Sequence, residues 1–222
     1  MSTRVAVVGG HGQVARHLHP LLVEAGRVPV ALVRSDDQRA ALEKMGAEVR
    51  LLDIERGDGA AFGRAFAGCG SVVFAAGGGP DGNIERKRTV DLEGALKSIE
   101  GARAAGITRL VQISAIDVDR PVPDDTPPVW KAYVEAKRDA DEALRGSGLD
   151  WTILRPGRLT DAPPAGLVAL GGDVPRADVP RADVAAVVAA VLDDDATVGR
   201  QWNLVEGTLP IDEAIAAALR SD

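Results

Sequence analysis

The chain has one cysteine, Cys69, so it can close no internal disulfide, and a reducing compartment fits. Cys69 sits between two glycines ahead of a strand-like run with no base nearby in sequence, which argues against a nucleophile. No unbroken apolar run approaches the length of a membrane span. No basic run is laced with aromatics, and the formal net charge is -7, so neither a membrane nor a nucleic acid is the expected partner. Histidine is scarce, with only His11, His17 and His19. His17 and His19 point to different faces of a helix, and the other ligands of a metal site are missing, so no metal is expected. Nothing resembling a signal peptide precedes the first strand-like run, which points to the cytoplasm. No linker divides the chain, so residues 1–222 are expected to form one domain that acts on a small molecule as a monomer or homodimer.

What is present is alternation. Short runs rich in Val, Ile and Leu fall at 4–8, 28–33, 48–52, 71–75, 109–114, 151–154 and 201–205. They show little alternation of polarity, as strands buried on both faces do. Helical patterns lie between them, at 13–25, 38–45, 85–105, 129–144, 183–192 and 211–219. Pro20 should kink or shorten the first of these. Ser35 and Gln38 have capping-box spacing at the start of the second. The order predicts an α/β fold, a Rossmann-type doubly wound parallel sheet with right-handed crossovers. Residues 160–180 are rich in Gly, Pro and Asp and lack a period. They read as a substrate-side flap, part of a small C-terminal cap over about 156–182.

The first strand runs into Gly9-Gly10-His11-Gly12-Gln13-Val14-Ala15. A strand that turns tightly into a helix here would bring backbone N–H groups onto a dinucleotide pyrophosphate. The second strand ends at Val33-Arg34-Ser35. An arginine at that place suits the 2′-phosphate of NADP, whereas NAD would call for an acidic residue, so Arg34 and Ser35 favour NADP with NAD as the alternative. Arg39 could assist, while Asp36 and Asp37 could instead face the ribose or simply favour the helix N-terminus. Asp53, after the third strand, is placed either to hold the adenine amino group or to cap a turn. Small residues Ala75-Ala76-Gly77 follow the fourth strand and would let a cofactor lie across the strand ends.

The only tyrosine, Tyr133, precedes Lys137 by one helical turn, so the two share a face. A nearby ammonium would lower the phenol's pKa and make it a usable acid or base. Ser114, ending the fifth strand, is the candidate for orienting a carbonyl. The segment 117–128 between Ser114 and Tyr133 holds four prolines. Trp130, Trp151 and Trp202 read as core or pocket wall.

Taken together, these residues resemble the atypical short-chain dehydrogenase/reductases, in their NAD(P)H-binding, NmrA-like and sugar-epimerase-like branch. The resemblance runs along nearly the whole chain. It rests on Val8 to Ala15, Leu32-Val33-Arg34, Asp53, Arg109 to Ser114, Tyr133 with Lys137, Ser147 to Gly157, Arg181 to Ala185 and Trp202 to Gly207. Val8 stands where the family usually has threonine, and Ala15 where it has a third glycine. The resemblance implies NADP or NAD in the groove and the Arg155-Pro156-Gly157 turn near the nicotinamide and substrate. It implies an oxidoreductase that passes hydride to a small carbonyl, quinone or flavin-like acceptor. Tyr133 would donate the proton, Lys137 would tune it and bind the ribose, and Ser114 would orient the substrate. The alternatives are a sugar-nucleotide epimerase or dehydratase, and a non-catalytic NADP(H)-binding redox sensor.

Overall fold

The computed structural model describes residues 3–79 and 82–221. The strands are β1 (Arg4–Val8), β2 (Val28–Val33), β3 (Glu48–Leu51), β4 (Ser71–Phe74), β5 (Arg109–Ile113), β6 (Asp150–Pro156), β7 (Arg158–Thr160), β8 (Leu167–Gly171), β9 (Asp178–Pro180), β10 (Arg200–Glu206) and β11 (Leu209–Pro210). The helices are α1 (Gln13–Glu24), α2 (Arg39–Glu43), α3 (Gly59–Ala65), α4 (Ile84–Arg86), α5 (Glu93–Ala104), α6 (Pro128–Arg145), α7 (Arg181–Leu192) and α8 (Ile211–Ser221). Among the described residues, no helix is long and apolar enough to cross a membrane.

Nine strands form one sheet in the order β11-β8-β10-β6-β5-β4-β1-β2-β3. The seven from β10 to β3 are parallel, as expected for a doubly wound α/β fold. β8 and β11 extend one edge, with β8 antiparallel to both of its neighbours. The pleat explains why β1 reads as a solid apolar run. Val5 and Val7 enter the core beneath α1, α7 and α8, while Ala6 and Val8 enter the opposite core beneath α3, α5 and α6. Fully buried anchors such as Leu18 and Phe62 hold the two layers. Each contributes about 1.5–3 kcal/mol by leaving water. Strand order reverses between β1 and β4. That switch point opens a crevice at the carboxyl ends of the strands, flanked by the loops after β1 and β4.

Some local expectations needed correction. α1 continues through Pro20 to Glu24, because Leu18 and Leu22 on its buried face outweigh the one hydrogen bond a proline removes. The capping box does not form: Ser35 makes no side-chain cap bond, and a 3-10 turn at Asp36–Gln38 precedes α2. α3 was not anticipated at all. Asp58 caps it by accepting from the Ala61 N–H at 2.8 Å. Residues 160–180 are more ordered than a flap, since β8 joins the main sheet and β7 pairs with β9.

Candidate cofactor groove and active site

The turn after β1 is built for close approach. Gly9 has φ +79°, and a Cβ there would lie 2.8 Å from the Ala76 backbone. Gly10 plays a different part from its neighbours. It donates its N–H to Leu32 O at 3.0 Å, and a Cβ would strike Ala31, so it seats the loop on β2 instead of offering its own N–H to a phosphate. Gly12 donates to Gly9 O at 2.8 Å. The first i→i−4 bond of α1 runs from Arg16 to Gly12, so the N–H groups of Gln13, Val14 and Ala15 have no partner within the helix. Such an N-terminus, beside a backbone with no side chains in the way, fits a pyrophosphate. His11 and Gly12 border the groove on the adenosine side, and Gln13 and Val14 border the cavity on the other.

His19, set aside in the sequence as a metal ligand, supports the glycine loop instead. It is fully buried, and its Nε2 lies 2.7 Å from Gly10 O. Burial is the larger influence and holds its pKa below the ordinary value, although the Gly10 bond pulls the other way. The ring therefore stays neutral, with Nε2 carrying the proton.

At the adenosine end, a cavity of about 320 Å³ is lined by Gly9, Arg34, Asp53, Ala75, Ala76 and Gly77, among others. Arg34 is exposed and makes no hydrogen bond or ion pair with any described residue. Ser35 lies outside the cavity lining. Arg39 is committed to Asp36, Glu43 and the Val49 carbonyl. Asp53 caps a turn, accepting from the N–H groups of Glu55 and Arg56 at 3.0 and 3.2 Å, while still bordering the cavity.

Gly12, Ala75, Ala76 and Gly77 also border a second cavity of about 970 Å³, so one groove crosses the strand ends. This second space is lined by Ser114, Tyr133, Lys137 and Pro156, which the sequence singled out. It is walled by Pro121, Val122, Pro123 and Thr126 of the proline-bearing insert more than by residues 160–180, of which only Arg176 contributes.

The Tyr133 hydroxyl makes no hydrogen bond to a described residue. Its ring lies under two ammonium groups, Lys87 at 5.9 Å and Lys137 at 6.0 Å from the centroid. The expected depression of its pKa does not occur. Burial is the largest influence and pushes the phenol up, with Lys137 offsetting only part of it. Lys137 is itself buried, donating to Ile113 O at 3.2 Å and paired with Asp91 at 3.2 Å. Burial alone would lower its pKa, but Asp91 first, then Tyr133, leave it raised. Asp91 and Lys87 escaped sequence reading. Both lie in a π-helical turn, Lys87–Leu92, between α4 and α5. A π turn re-aims side chains relative to an α-helix and is frequent at functional sites. Asp91 also accepts from the Gly78 N–H at 2.9 Å, tying the loop after β4 to the lysine.

Ser114 is not linked to Tyr133. Its hydroxyl donates to Asp141 Oδ2 at 2.8 Å. Fully buried Asp141 also accepts from Gln112 Nε2 at 2.7 Å and Arg155 Nε at 2.8 Å, and Arg155 reaches on to Asp119. Burial raises the Asp141 pKa despite these donors. Arg155 thus belongs to the core side of its turn, and Pro156 and Gly157 face the cavity.

Residues 9–195 match the family model described as NAD(P)H-binding. The chain is 37% identical to the uncharacterized sugar epimerase YhfK of Bacillus subtilis, over 96% of this chain and 98% of that protein. It is 31% identical to a (4-alkanoyl-5-oxo-2,5-dihydrofuran-3-yl)methyl phosphate reductase of Streptomyces griseus, over 89% of this chain and 66% of that one. A solved structure from Bacillus halodurans, which carries an NAD-dependent epimerase/dehydratase designation, superposes with a TM-score of 0.89 at 36% identity, covering 96% of this chain and 99% of its own.

Proposed function

Because the chain belongs to the NAD(P)H-binding family, we propose that it is an NADP(H)-dependent oxidoreductase that reduces a small carbonyl, quinone or flavin-like acceptor. The observation that carries this reading is the place of Tyr133, which borders a cavity continuous with the glycine-loop groove and whose hydroxyl bonds to no described residue. Gly9, Gly12, His11, Gln13 and Val14 would hold the pyrophosphate, with Gly10 seating their loop. Arg34, exposed and without a described partner, is the candidate for the 2′-phosphate.

When bound, the cofactor supplies a hydride, which the acceptor's carbonyl carbon takes as the C=O pair moves to oxygen. Tyr133 gives its hydroxyl proton to that oxygen. A phenol raised by burial stays protonated at neutral pH, which is the form a donor requires. Lys137, fixed by Asp91 and Ile113, would hold the ribose and stabilise the phenolate left behind. Ser114 has spent its proton on Asp141, so it would meet substrate as an acceptor and wall residue.

The designations of YhfK and the Bacillus halodurans structure favour a sugar epimerase as the second reading. That chemistry begins by taking a proton from the sugar, for which a raised tyrosine is poorly suited. The test is NADPH oxidation against a panel of aldehydes, quinones and flavins with wild type and Tyr133→Phe. Turnover in wild type that drops about 10²–10⁴-fold in the variant is expected. Equal turnover would remove Tyr133 from the reaction. Tight NADPH binding with no turnover on any acceptor would favour a redox sensor.

A further inference from the structure

The substrate-side cavity is basic in an acidic protein. Among the described residues, its lining carries Lys87, Arg120, Lys137, Arg158, Arg176 and Arg181 against two carboxylates, Asp91 and Asp117, while the chain's net charge is -7. Three of these cations are matched: Lys137 by Asp91, Arg158 by Asp178 and Arg181 by Asp161. The other three have no carboxylate each to themselves among the described residues. Arg120 and Arg176 share Asp117, at 3.0 and 3.8 Å. Lys87 has no carboxylate partner among the described residues. It is 6% exposed, and its ammonium donates to Gly79 O and faces the Tyr133 ring.

A buried ammonium with one carbonyl and a ring face for company is under-compensated, and an anion would offset the cost of burying it. The unmatched cations are also placed with respect to the proposed proton donor. Trp130 and Tyr133 stack on α6 with centroids 5.1 Å apart. Lys87 lies over Tyr133, and the Arg176 guanidinium lies 5.7 Å from the Trp130 centroid. The aromatic pair therefore carries a cation on each member. Both cations border the substrate-side cavity and neither borders the adenosine end.

We infer that the substrate is an anionic carbonyl compound, carrying a carboxylate or a phosphate monoester, whose charged group lodges between Lys87 and Arg176 while its carbonyl meets Tyr133. This rests on the reductase reading above. The experiment compares benzaldehyde, 4-carboxybenzaldehyde and 4-formylphenyl phosphate as acceptors with NADPH. Wild type should favour a charged aldehyde over benzaldehyde by about tenfold or more in kcat/KM, a gap of the size one charge-assisted contact supplies. The better of the two charged acceptors tells carboxylate from phosphate. In Lys87→Gln and, separately, Arg176→Gln, that preference should collapse toward unity through KM, with the Kd of NADPH held within about twofold of wild type. A wild type that prefers benzaldehyde, or variants that keep the preference, would overturn the inference. So would a Lys87→Gln loss confined to NADPH affinity, which would give that lysine to the cofactor. If no aldehyde is reduced, and no quinone or flavin of the wider panel either, the reductase reading falls instead. Calorimetric titration of the NADP⁺-loaded protein with 4-carboxybenzaldehyde and 4-formylphenyl phosphate then decides the anion site, by saturable binding that Lys87→Gln abolishes or by none.

Discussion

Asp91 and Lys137 meet at 3.2 Å inside the cavity wall, with side chains 0% and 5% exposed. The aspartate comes from the π-helical turn before α5 and the lysine from α6, so the pair joins two helices beneath the proposed reaction centre. Neither charge has bulk water to fall back on.

Asp91→Asn should therefore cost far more than a surface change. It leaves the Lys137 ammonium buried without its carboxylate and loosens Gly78, whose N–H the same side chain holds. Breaking one side of a buried pair costs about 3–5 kcal/mol. Urea denaturation checks this. A loss below about 1 kcal/mol, the ceiling for exposed pairs, would mean the pair is solvated in solution.

Arg34→Ala should weaken NADPH by about 10–100-fold, because a charge-assisted contact to phosphate supplies about 1.5–3 kcal/mol. NADH has no 2′-phosphate, so its affinity should change little. Fluorescence titration of both cofactors reads the difference, and equal losses would move the 2′-phosphate site elsewhere. Ser35→Ala is expected to have a small effect, since Ser35 lies outside the cavity lining.

The pH profile follows from the direction of the Tyr133 shift. Reduction uses the protonated phenol, and burial raises its pKa above the ordinary value near 10. The donor form is thus complete throughout the neutral range. The tyrosine should add no limb to log kcat/KM between pH 6 and about 9, with any loss due to it appearing only above its raised value. A descending limb near pH 7–8 that disappears in residual Tyr133→Phe activity would show a depressed tyrosine and contradict this.

What could be read from the sequence was what periodicity and glycine announce. β1 and β2 appear at the expected residues because strands buried on both faces leave unbroken Val/Ala/Leu runs. The glycine turn was legible because it demands backbone that other residues cannot supply. β8 was hidden because Leu167–Gly171 is short and flanked by glycine, proline and aspartate, and gains its order from pairing with the distant β10. Lys87, Asp91 and Asp141 were passed over for a common reason. A charged residue in a helix normally faces water, and only tertiary packing, aided by a π turn in the first two, buries these three. Ser114 was singled out for its position at a strand end, but its partner Asp141 lies 27 residues away, beyond any local pattern.

His19 offers a last test, which links the glycine loop to proton binding. Buried and neutral, it donates to Gly10 O, and its Nδ1 has no partner among the described residues. Its pKa is lower in the folded chain than the ordinary value near 6.5, chiefly through burial. The unfolded chain therefore takes up a proton near that pH while the folded chain does not. The resulting stability is fully present above about pH 6.5 and is lost as pH falls toward the folded value, at up to about 1.4 kcal/mol per pH unit. His19→Leu should destabilise the protein by about 1–3 kcal/mol at pH 7.5, because Gly10 O loses its donor in a buried setting. The gap between wild type and variant should narrow between pH 6.5 and 5, since only the wild type has this titration to lose. Urea midpoints for both proteins at pH 7.5, 6.0 and 5.0 measure it. A gap that stays constant would mean that His19 is protonated alike in the folded and unfolded chains, and that burial does not hold the ring neutral behind the loop.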